Sequence, residues 1–199
     1  MLSAVKTSSV MELFEETGAY LRGHFQLTSG LHSGEYLQCA KVLAIPAYAE
    51  RLGRELAGRV KELAGGRVEV VVSPAMGGVI IGHEVARALG ARSLFAERDG
   101  ASNQMMLRRG FAVERGERTV VIEDVVTTGG STKEVVELVR NSGGEVLAAG
   151  SIIDRSNGRA GVGVARVALE NLDAIAYPAS DCPLCREGQP IVKPGSRRA

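Results

Sequence analysis

The sequence predicts an α/β protein whose central, mainly parallel sheet is flanked by helices. Three observations support this fold class. Short apolar segments typical of buried strands alternate with amphipathic segments of about a dozen residues typical of helices, the order found in βαβ units. Polar or glycine-rich turns separate these segments. The 199 residues suit one domain with a substantial core.

The predicted elements follow in chain order. A short helix from Val10 to Thr17 begins after Ser8 or Ser9 and stops at Gly18. Strand-like pieces then surround a turn at Ser29–Gly30. A helix from Ala47 to Leu63 begins after Pro46 and ends at Gly65–Gly66. The remaining predicted elements are a strand at Val68–Val72, a helix at Val79–Leu89, strands at Ser93–Ala96 and Phe111–Val113, a strand at Thr119–Ile122 with the helix after it, and a strand at Val146–Ile153.

The segment Thr119–Ser131 carries the most information about function. Apolar strand residues lead into two adjacent acids, and a turn of hydroxyl residues and glycines precedes a helix. Glycines let backbone amides converge, hydroxyls add donors and a helix N-terminus favours an anion, so the pattern predicts a phosphate site. The acids suit ribose hydroxyls, or a Mg²⁺ carried in by a polyphosphate. The alternative is an acidic strand end before an ordinary glycine turn. The segment contributes Glu123, Asp124, Val125, Val126, Thr127, Thr128, Gly129, Gly130 and Ser131 to the predicted site.

We expect Gly130 to adopt a positive φ, which a β-branched residue could not readily take. In parallel sheets, ligands bind at the carboxyl ends of the strands. The polar segments expected there are Ser73–Gly78, Glu97–Arg98, Glu123–Ser131 and Asp154–Arg155. The N-terminal region lies outside the alternating pattern and is predicted to form a hood. We therefore expect a single domain over residues 1–199, with a hood region (1–42), a core (43–160) and a C-terminal extension (161–199).

Composition excludes several other classes. The 24 Lys and Arg residues nearly balance the 23 Asp and Glu residues, so neither nucleic-acid binding nor membrane binding is indicated. No apolar run approaches about 20 residues, and no charged-then-apolar leader follows Met1. Three cysteines do not make a disulfide framework. We expect a cytoplasmic protein.

Three motifs resemble those of a known family. The segment Thr119–Ser131 resembles the phosphoribosyl-pyrophosphate (PRPP) signature of type I phosphoribosyltransferases. The hood pattern from Gly23 to Gln38 resembles the orotate phosphoribosyltransferases, and Ser73–Gly78 is similar to their pyrophosphate loop. The resemblance spans roughly His24 to Arg159. It implies the type I phosphoribosyltransferase fold and the joining of orotate to the ribose 5-phosphate of PRPP, a pentosyl transfer of pyrimidine synthesis.

The resemblance also implies roles for residues. Glu123 and Asp124 hold the ribose hydroxyls, and Arg98 joins them as a catalytic residue. Further PRPP contacts are implied for Ala75, Met76, Gly77, Arg98, Arg108 and Arg109. Orotate contacts are implied for Thr28, Tyr36, Leu37, Thr127 and Arg155. Mg²⁺ is implied as a cofactor that arrives with PRPP rather than on protein side chains. A homodimer is implied in which the catalytic loop reaches the partner's site.

Two segments depart from the family pattern. In Glu97–Gly110, predicted to be a mobile lid, only Arg98 matches clearly. Either Arg108 and Arg109 replace the missing cations or they are a solvated basic pair. The C-terminal Cys182-Pro-Leu-Cys185 resembles a bacterial and archaeal subgroup and has the spacing of half a zinc site. A metal would need ligands from a second chain or from histidines, and the alternative is a turn with two reduced thiols. We expect His24, His32 and His83 to be structural.

Two other functions stay open. A phosphoribosyltransferase for a purine or another base would share the PRPP signature but not this hood. A PRPP-sensing regulatory protein would keep the fold without catalysis, and the altered Glu97–Gly110 segment favours it. The absence of a basic face for nucleic acid argues against that second function.

Overall fold

The computed structural model describes residues 8–27, 30–173 and 175–194, which fall into two compact units. The first unit lies within residues 1–42 and 173–199, and the second is Leu43–Leu172. The hood region was predicted to end at residue 42, where the N-terminal part of the first unit also ends. Residues 161–172, which were assigned from the sequence to the C-terminal extension, lie in the second unit with the core. The elements are α1 (Val10–Glu16), β1 (Tyr20–Gln26), β2 (His32–Leu37), α2 (Cys39–Leu43), α3 (Pro46–Ala64), β3 (Val70–Pro74), α4 (Gly78–Leu89), β4 (Arg92–Arg98), β5 (Met105–Leu107), β6 (Arg118–Val126), α5 (Gly130–Asn141), β7 (Glu145–Asp154), β8 (Arg166–Asn171), β9 (Ala176–Tyr177), a 3₁₀ turn (Ala179–Asp181) and α6 (Pro183–Arg186).

The first unit is a small antiparallel sheet with a capped helix. Strand order is β1-β2-β9, so the C-terminal segment adds an edge strand to the N-terminal hairpin. Helix α1 begins at Ser9, whose hydroxyl accepts from the Glu12 amide at 3.1 Å while the Glu12 carboxylate accepts from the Ser9 amide at 2.5 Å. This reciprocal capping box satisfies two amides that the helix itself leaves free. The predicted start of the first helix is confirmed.

The second unit is a six-stranded sheet in the order β5-β4-β3-β6-β7-β8. All neighbours are parallel except β5, which pairs antiparallel with β4 at the edge. Because the chain runs from β3 outward to β4 and then returns to the other side of β3 with β6, the strand order reverses between β3 and β6. Such a reversal opens a crevice at the carboxyl ends of these two strands.

Helices cover both faces of this sheet. On one face, Val135, Val136 and Val139 of α5 pack with Val70 and Val72 of β3 in a buried apolar cluster. Helix α4 covers the other face, because its Gly82 lies against the side chains of Val71 and Ser73, which alternate with Val70 and Val72 along β3. Helix α3 packs beside α4 and contacts β7 and β8. Strands with apolar side chains on both faces are expected in a parallel sheet that is covered on both sides.

Local sequence signals located several elements correctly. Helix α3 begins with Pro46 in its first turn and ends at Gly65 with φ of 64°, as predicted. The strand predicted at Phe111–Val113 is wrong, because that segment is irregular. Its apolar character has another cause: Val113 is buried and Phe111 packs edge-on against Phe95, with ring centroids 5.1 Å apart. Within the described part of the chain, no helix combines the length and apolar character that crossing a membrane requires.

Candidate active site

The crevice between β3 and β6 brings two loops together. The first is residues 75–77, between β3 and α4, and the second is residues 127–129, between β6 and α5. The strands are parallel neighbours, with Val70 opposite Thr119 and Val72 opposite Val121, so both loops leave the same edge of the sheet. The predicted convergence of these polar segments is therefore confirmed.

The N-terminus of α5 has the form of a phosphate nest. Gly129 precedes the helix with φ of 81°, and no side chain caps the first turn. The first amides of a helix have no partner within it, so those of α5 are available to an anion together with the positive end of the helix dipole. The side chains of Thr127 and Thr128 are exposed beside them and can add hydroxyl donors.

The positive φ lies at Gly129, not at Gly130 as expected from the sequence. A Cβ on Gly129 would also come within 2.9 Å of the Val162 side chain and 3.2 Å of Ala160. A Cβ on Gly130 would meet only the Thr128 hydroxyl, at 3.8 Å. The turn therefore requires glycine at residue 129 on two counts, and residue 130 is the first residue of the helix.

The paired acids lie within β6, close to its carboxyl end. Glu123 is 8% exposed and Asp124 is half-buried. Burial, and after it the charge of Asp124, raises the pKa of Glu123 well above its usual range, and burial also raises the pKa of Asp124. The carboxylates accept from neighbouring amides: Glu123 from the Asp124 amide at 3.2 Å and Asp124 from the Val125 amide at 2.8 Å. Hydroxyl donors or a cation would stabilise the ionised form of such a pair.

The loop after β3 passes directly against these acids. A Cβ on Gly77 would lie 2.7 Å from both carboxylate oxygens of Asp124, and one on Gly78 would lie 3.3 Å from Oε1 of Glu123. The Ala75–Met76 peptide bond is cis. Glycine at residue 77 thus allows the backbone of this loop to approach the acid pair. Any side chain there would compete with a ligand of Asp124.

The segment predicted to be a lid is for the most part a hairpin. Strand β4 continues to Arg98 and pairs with β5, Arg98 lying opposite Met105, so the strand is longer than the predicted Ser93–Ala96. Asp99 holds the turn by accepting from the amides of Ala101 and Ser102 at 3.1 and 2.9 Å. The apolar run Met105-Met106-Leu107 was the signal in the sequence for strand β5.

Two of the three arginines in this segment, Arg98 and Arg109, form ion pairs within the chain. Arg98 donates to both carboxylate oxygens of Glu134 in α5, at 2.8 and 3.0 Å. Arg109 donates to Glu97 at 2.8 and 2.9 Å, and its guanidinium lies over the Phe95 ring. Arg108 is exposed. Arg98 would have to leave Glu134 before it could bind a diphosphate.

Arg155 follows the carboxyl end of β7 and is half-buried, and its amide donates to the Val126 carbonyl at 2.8 Å. The neighbouring Asp154 is 1% exposed and forms an ion pair with Arg166 at 2.5 Å. Burial acts to raise the pKa of Asp154, but hydrogen bonds from Ser156 and the Arg166 pair outweigh it, so the pKa is lowered. Asp154 therefore holds together the loop in which Arg155 lies. Sequence reasoning missed Arg166, because nothing local indicates a partner twelve residues away.

The remaining predicted base contacts belong to the first unit. Tyr36 and Leu37 lie at the end of β2; Leu37 is buried, and the Tyr36 ring lies 5.8 Å from that of Phe25. Thr28 lies outside the described residues.

Comparison with known proteins agrees with this geometry. A family model described as phosphoribosyl transferase domain matches residues 39–163, the range that contains both crevice loops and Arg155. The orotate phosphoribosyltransferase of Pelotomaculum thermopropionicum is 55% identical over 189 residues, covering 95% of this chain and 97% of that protein. That of Thermotoga maritima is 53% identical over 188 residues, covering 94% and 98%.

Solved structures agree as well. The crystal structure of orotate phosphoribosyltransferase from Aeropyrum pernix has a TM-score of 0.68 at 28% identity, covering 82% of this chain and 94% of that one. The family model, which matches more than half of the chain, defines the class as a phosphoribosyl transferase domain. With relatives above 50% identity over nearly its whole length, the chain belongs to the orotate phosphoribosyltransferase family.

Proposed function

We propose that this chain is the enzyme that transfers the ribose 5-phosphate group of PRPP to orotate, giving orotidine 5-phosphate and pyrophosphate in pyrimidine nucleotide synthesis. The observation that carries the reaction class is the phosphate nest of α5 beside the acid pair of β6, facing the loop at Gly77. The choice of orotate as the base rests on relatives of 50% identity and more. They are named orotate phosphoribosyltransferase and match nearly the full length of the chain.

The sugar-phosphate end of PRPP would bind at the nest. Backbone amides at the start of α5 and the hydroxyls of Thr127 and Thr128 would hold the 5-phosphate. Glu123 and Asp124 would accept hydrogen bonds from the ribose hydroxyls, which offsets the cost of their ionised form in this buried position. The backbone of the Gly77 loop would lie along the diphosphate.

The reaction forms a bond between N1 of orotate and C1 of the ribose, breaks the bond from C1 to the diphosphate oxygen and releases the N1 proton. The protein need not supply a nucleophile, so its contribution is positioning and stabilisation of the charge that moves onto pyrophosphate. Glu123 and Asp124 would lie against the sugar ring, so their negative charge would stabilise the positive charge that develops on the ribose.

Mg²⁺ fits the residues of this site as a cofactor that arrives with PRPP. The crevice offers oxygen donors, and burial raises the pKa of both carboxyls, so a nearby cation would lower the cost of ionising them. When bound, the ion would neutralise charge on the leaving diphosphate. The ligands are proposed to be PRPP oxygens, with Glu123 and Asp124 acting through the ribose.

Base recognition is proposed for Arg155 and Thr127. Arg155 follows the carboxyl end of β7, the strand next to β6, and a guanidinium suits the planar carboxylate of orotate. Thr28, Tyr36 and Leu37 remain predictions from the family resemblance. A homodimer in which Arg98, assisted by Arg108 or Arg109, clamps pyrophosphate in the partner's site is likewise proposed, as is a cytoplasmic location.

A panel of single bases tests the proposal. With PRPP and Mg²⁺, pyrophosphate release should require orotate, while adenine, hypoxanthine and xanthine give none. Turnover of a purine without turnover of orotate would replace the proposed function with the purine alternative. PRPP binding without pyrophosphate release from any base would favour the PRPP-sensing alternative.

A further inference from the structure

Four metal-binding side chains meet in the first unit, away from the proposed active-site loops in sequence. His24 lies in β1 and His32 in β2, whereas Cys182 immediately precedes α6 and Cys185 lies within it. One potential ligand atom from each residue lies within 4.8 Å of all the others. We call these four residues the His–Cys cluster. Within residues 8–27, 30–173 and 175–194, no other group of three or more such side chains converges in this way.

The spacing of the donor atoms matches a single tetrahedral ion. Nε2 of His24 lies 3.0 Å from Nδ1 of His32, and Sγ of Cys185 lies 3.6 Å and 3.2 Å from these two nitrogens. Sγ of Cys182 lies 3.6 Å from Nε2 of His24. With Zn–N near 2.0 Å and Zn–S near 2.3 Å, a tetrahedral ion separates its ligands by roughly 3.3–3.8 Å. These four separations lie within tenths of an ångström of that range, so the donors already stand close to the arrangement that one ion requires.

The surroundings already orient these ligands. Nδ1 of His24 lies 2.8 Å from the Gln189 carbonyl, so it is the protonated nitrogen and Nε2 is left with its lone pair toward the cluster. Such a bond from the non-ligating nitrogen to a carbonyl is the usual second layer of a metal site. His24, His32 and Cys182 are buried, at 4%, 6% and 1% exposure. The backbone is fixed as well, since the His24 carbonyl accepts from the Val192 amide at 2.8 Å.

The structure assigns a structural Zn²⁺ site to the His–Cys cluster, with two histidines from the N-terminal hairpin and two cysteines from the C-terminal segment as ligands. Two sulfur and two nitrogen donors in a tetrahedron favour zinc among common ions. An iron–sulfur cluster fits less well, because its ligands must span two metals rather than one. Of the two sources left open for the missing ligands, a second chain or histidines, the cluster favours histidines of the same chain. His24 and His32, expected from the sequence to be structural, are thereby assigned as ligands.

A metal would be useful in this unit because its apolar core is small. The unit is built from two separate stretches of chain, and the buried side chains that α1 contributes are Val10, Leu13 and Phe14. Units of this size commonly rely on a metal or disulfide for stability. The ion would join the C-terminal segment to the hairpin by four bonds, in addition to the pairing of β9 with β2.

Metal content and cobalt spectroscopy test the assignment on the whole protein. The chain purified without chelator should hold about one zinc per chain. After removal of zinc, Co²⁺ should give intense visible absorption and a sulfur-to-metal charge-transfer band, the signature of tetrahedral coordination with thiolates. Stoichiometric zinc in a thiolate site supports the assignment. A weak, six-coordinate cobalt spectrum, or the absence of zinc from protein purified under reducing conditions, would overturn it.

Variants distinguish the cluster from adventitious binding. Cys182→Ser and His24→Asn should each lower zinc affinity by more than the roughly 10- to 100-fold that loss of an outer partner costs. Cys39→Ala is the matched control: its thiol is buried in the same unit but lies outside the cluster, so zinc content should not change. Wild-type zinc content in a folded Cys182→Ser, Cys185→Ser double variant would refute the site. If the variants fail to fold, the cobalt spectrum of the wild-type chain still decides.

Discussion

Gly129→Ala is expected to weaken both folding and PRPP binding, whereas Gly130→Ala should leave folding intact. At Gly129 an alanine must adopt φ near 81°, which costs about 1–2 kcal/mol for an L-residue. Its Cβ would also lie 2.9 Å from the Val162 side chain, and relief of such overpacking typically costs about 1–3 kcal/mol. We expect a total loss of about 2–5 kcal/mol in the free energy of unfolding, or roughly 4–20 °C in Tm.

Gly130→Ala is the matched control, because its Cβ has open space and its position begins a helix. Alanine there should change stability by no more than about 1 kcal/mol, with the helix propensity in its favour. Denaturant unfolding measures the stability, and calorimetric titration measures PRPP affinity. A displaced amide in the nest should cost about 1.5–3 kcal/mol of binding, or roughly ten- to a hundredfold. Equal stability of the two variants would refute the assignment of the strained turn to Gly129.

Three further predictions concern the charged residues. In the absence of ligands, Glu123→Gln combined with Asp124→Asn should raise Tm at pH 7 while PRPP binding falls. Burial raises both carboxyl pKa values, so between about pH 4 and these raised values the folded protein holds more protons than the unfolded chain. Wild-type stability therefore falls as pH rises through this range, and the stability of the variant, which lacks both carboxyls, should fall less. Arg155→Ala should lower orotate affinity about ten- to a hundredfold with PRPP affinity retained, as calorimetry with each ligand would measure. Mixed Arg98→Ala and Asp124→Asn chains should regain activity if the clamp acts across a dimer.

Each of these outcomes can fail in a distinct way. If the Tm difference between the double variant and the wild type is the same at pH 4.5 and pH 7, ionisation of the two acids does not destabilise the ligand-free protein. Loss of PRPP binding in Arg155→Ala would place that residue at the sugar-phosphate. In the mixing experiment, co-purification of two tags must first show subunit exchange. Hybrids that form without activity would restrict Arg98 to its own chain, where it already pairs with Glu134.

Local signals made much of the fold predictable. The capping box at Ser9, the limits of α3 and the strand–turn–helix order at Thr119–Ser131 depend on residues within a few positions of one another. The convergence of the crevice loops followed from the parallel sheet, because the carboxyl ends of neighbouring parallel strands share one edge.

The errors arose where local patterns have more than one solution. The apolar run at Phe111–Val113 packs into the core without pairing, and a strand-like composition does not distinguish these two outcomes. Two adjacent glycines at residues 129 and 130 did not reveal which one takes the positive φ, because either glycine can adopt it. The contact that also excludes a Cβ from residue 129 comes from Val162, which is distant in sequence.

Long-range contacts were beyond the sequence. The ligands of the His–Cys cluster come from both ends of the chain, and His24 is separated from Cys182 by 158 residues. The Cys-x-x-Cys spacing signalled half of a metal site, but only the fold identifies the two histidines that complete it. Arg166, the partner of Asp154, was hidden for the same reason.

A competition assay between bases tests whether orotate is the substrate of this enzyme. Orotate, uracil, adenine and hypoxanthine are supplied together at equal concentration with limiting PRPP and Mg²⁺, and the nucleotides formed are identified by mass spectrometry. Orotidine 5-phosphate should be the dominant product, formed in equal amount to pyrophosphate and abolished by Asp124→Asn. A purine nucleotide as the main product would exclude orotate as the preferred base, and undiminished orotidine 5-phosphate formation by the Asp124→Asn protein would exclude the acid pair from the active site.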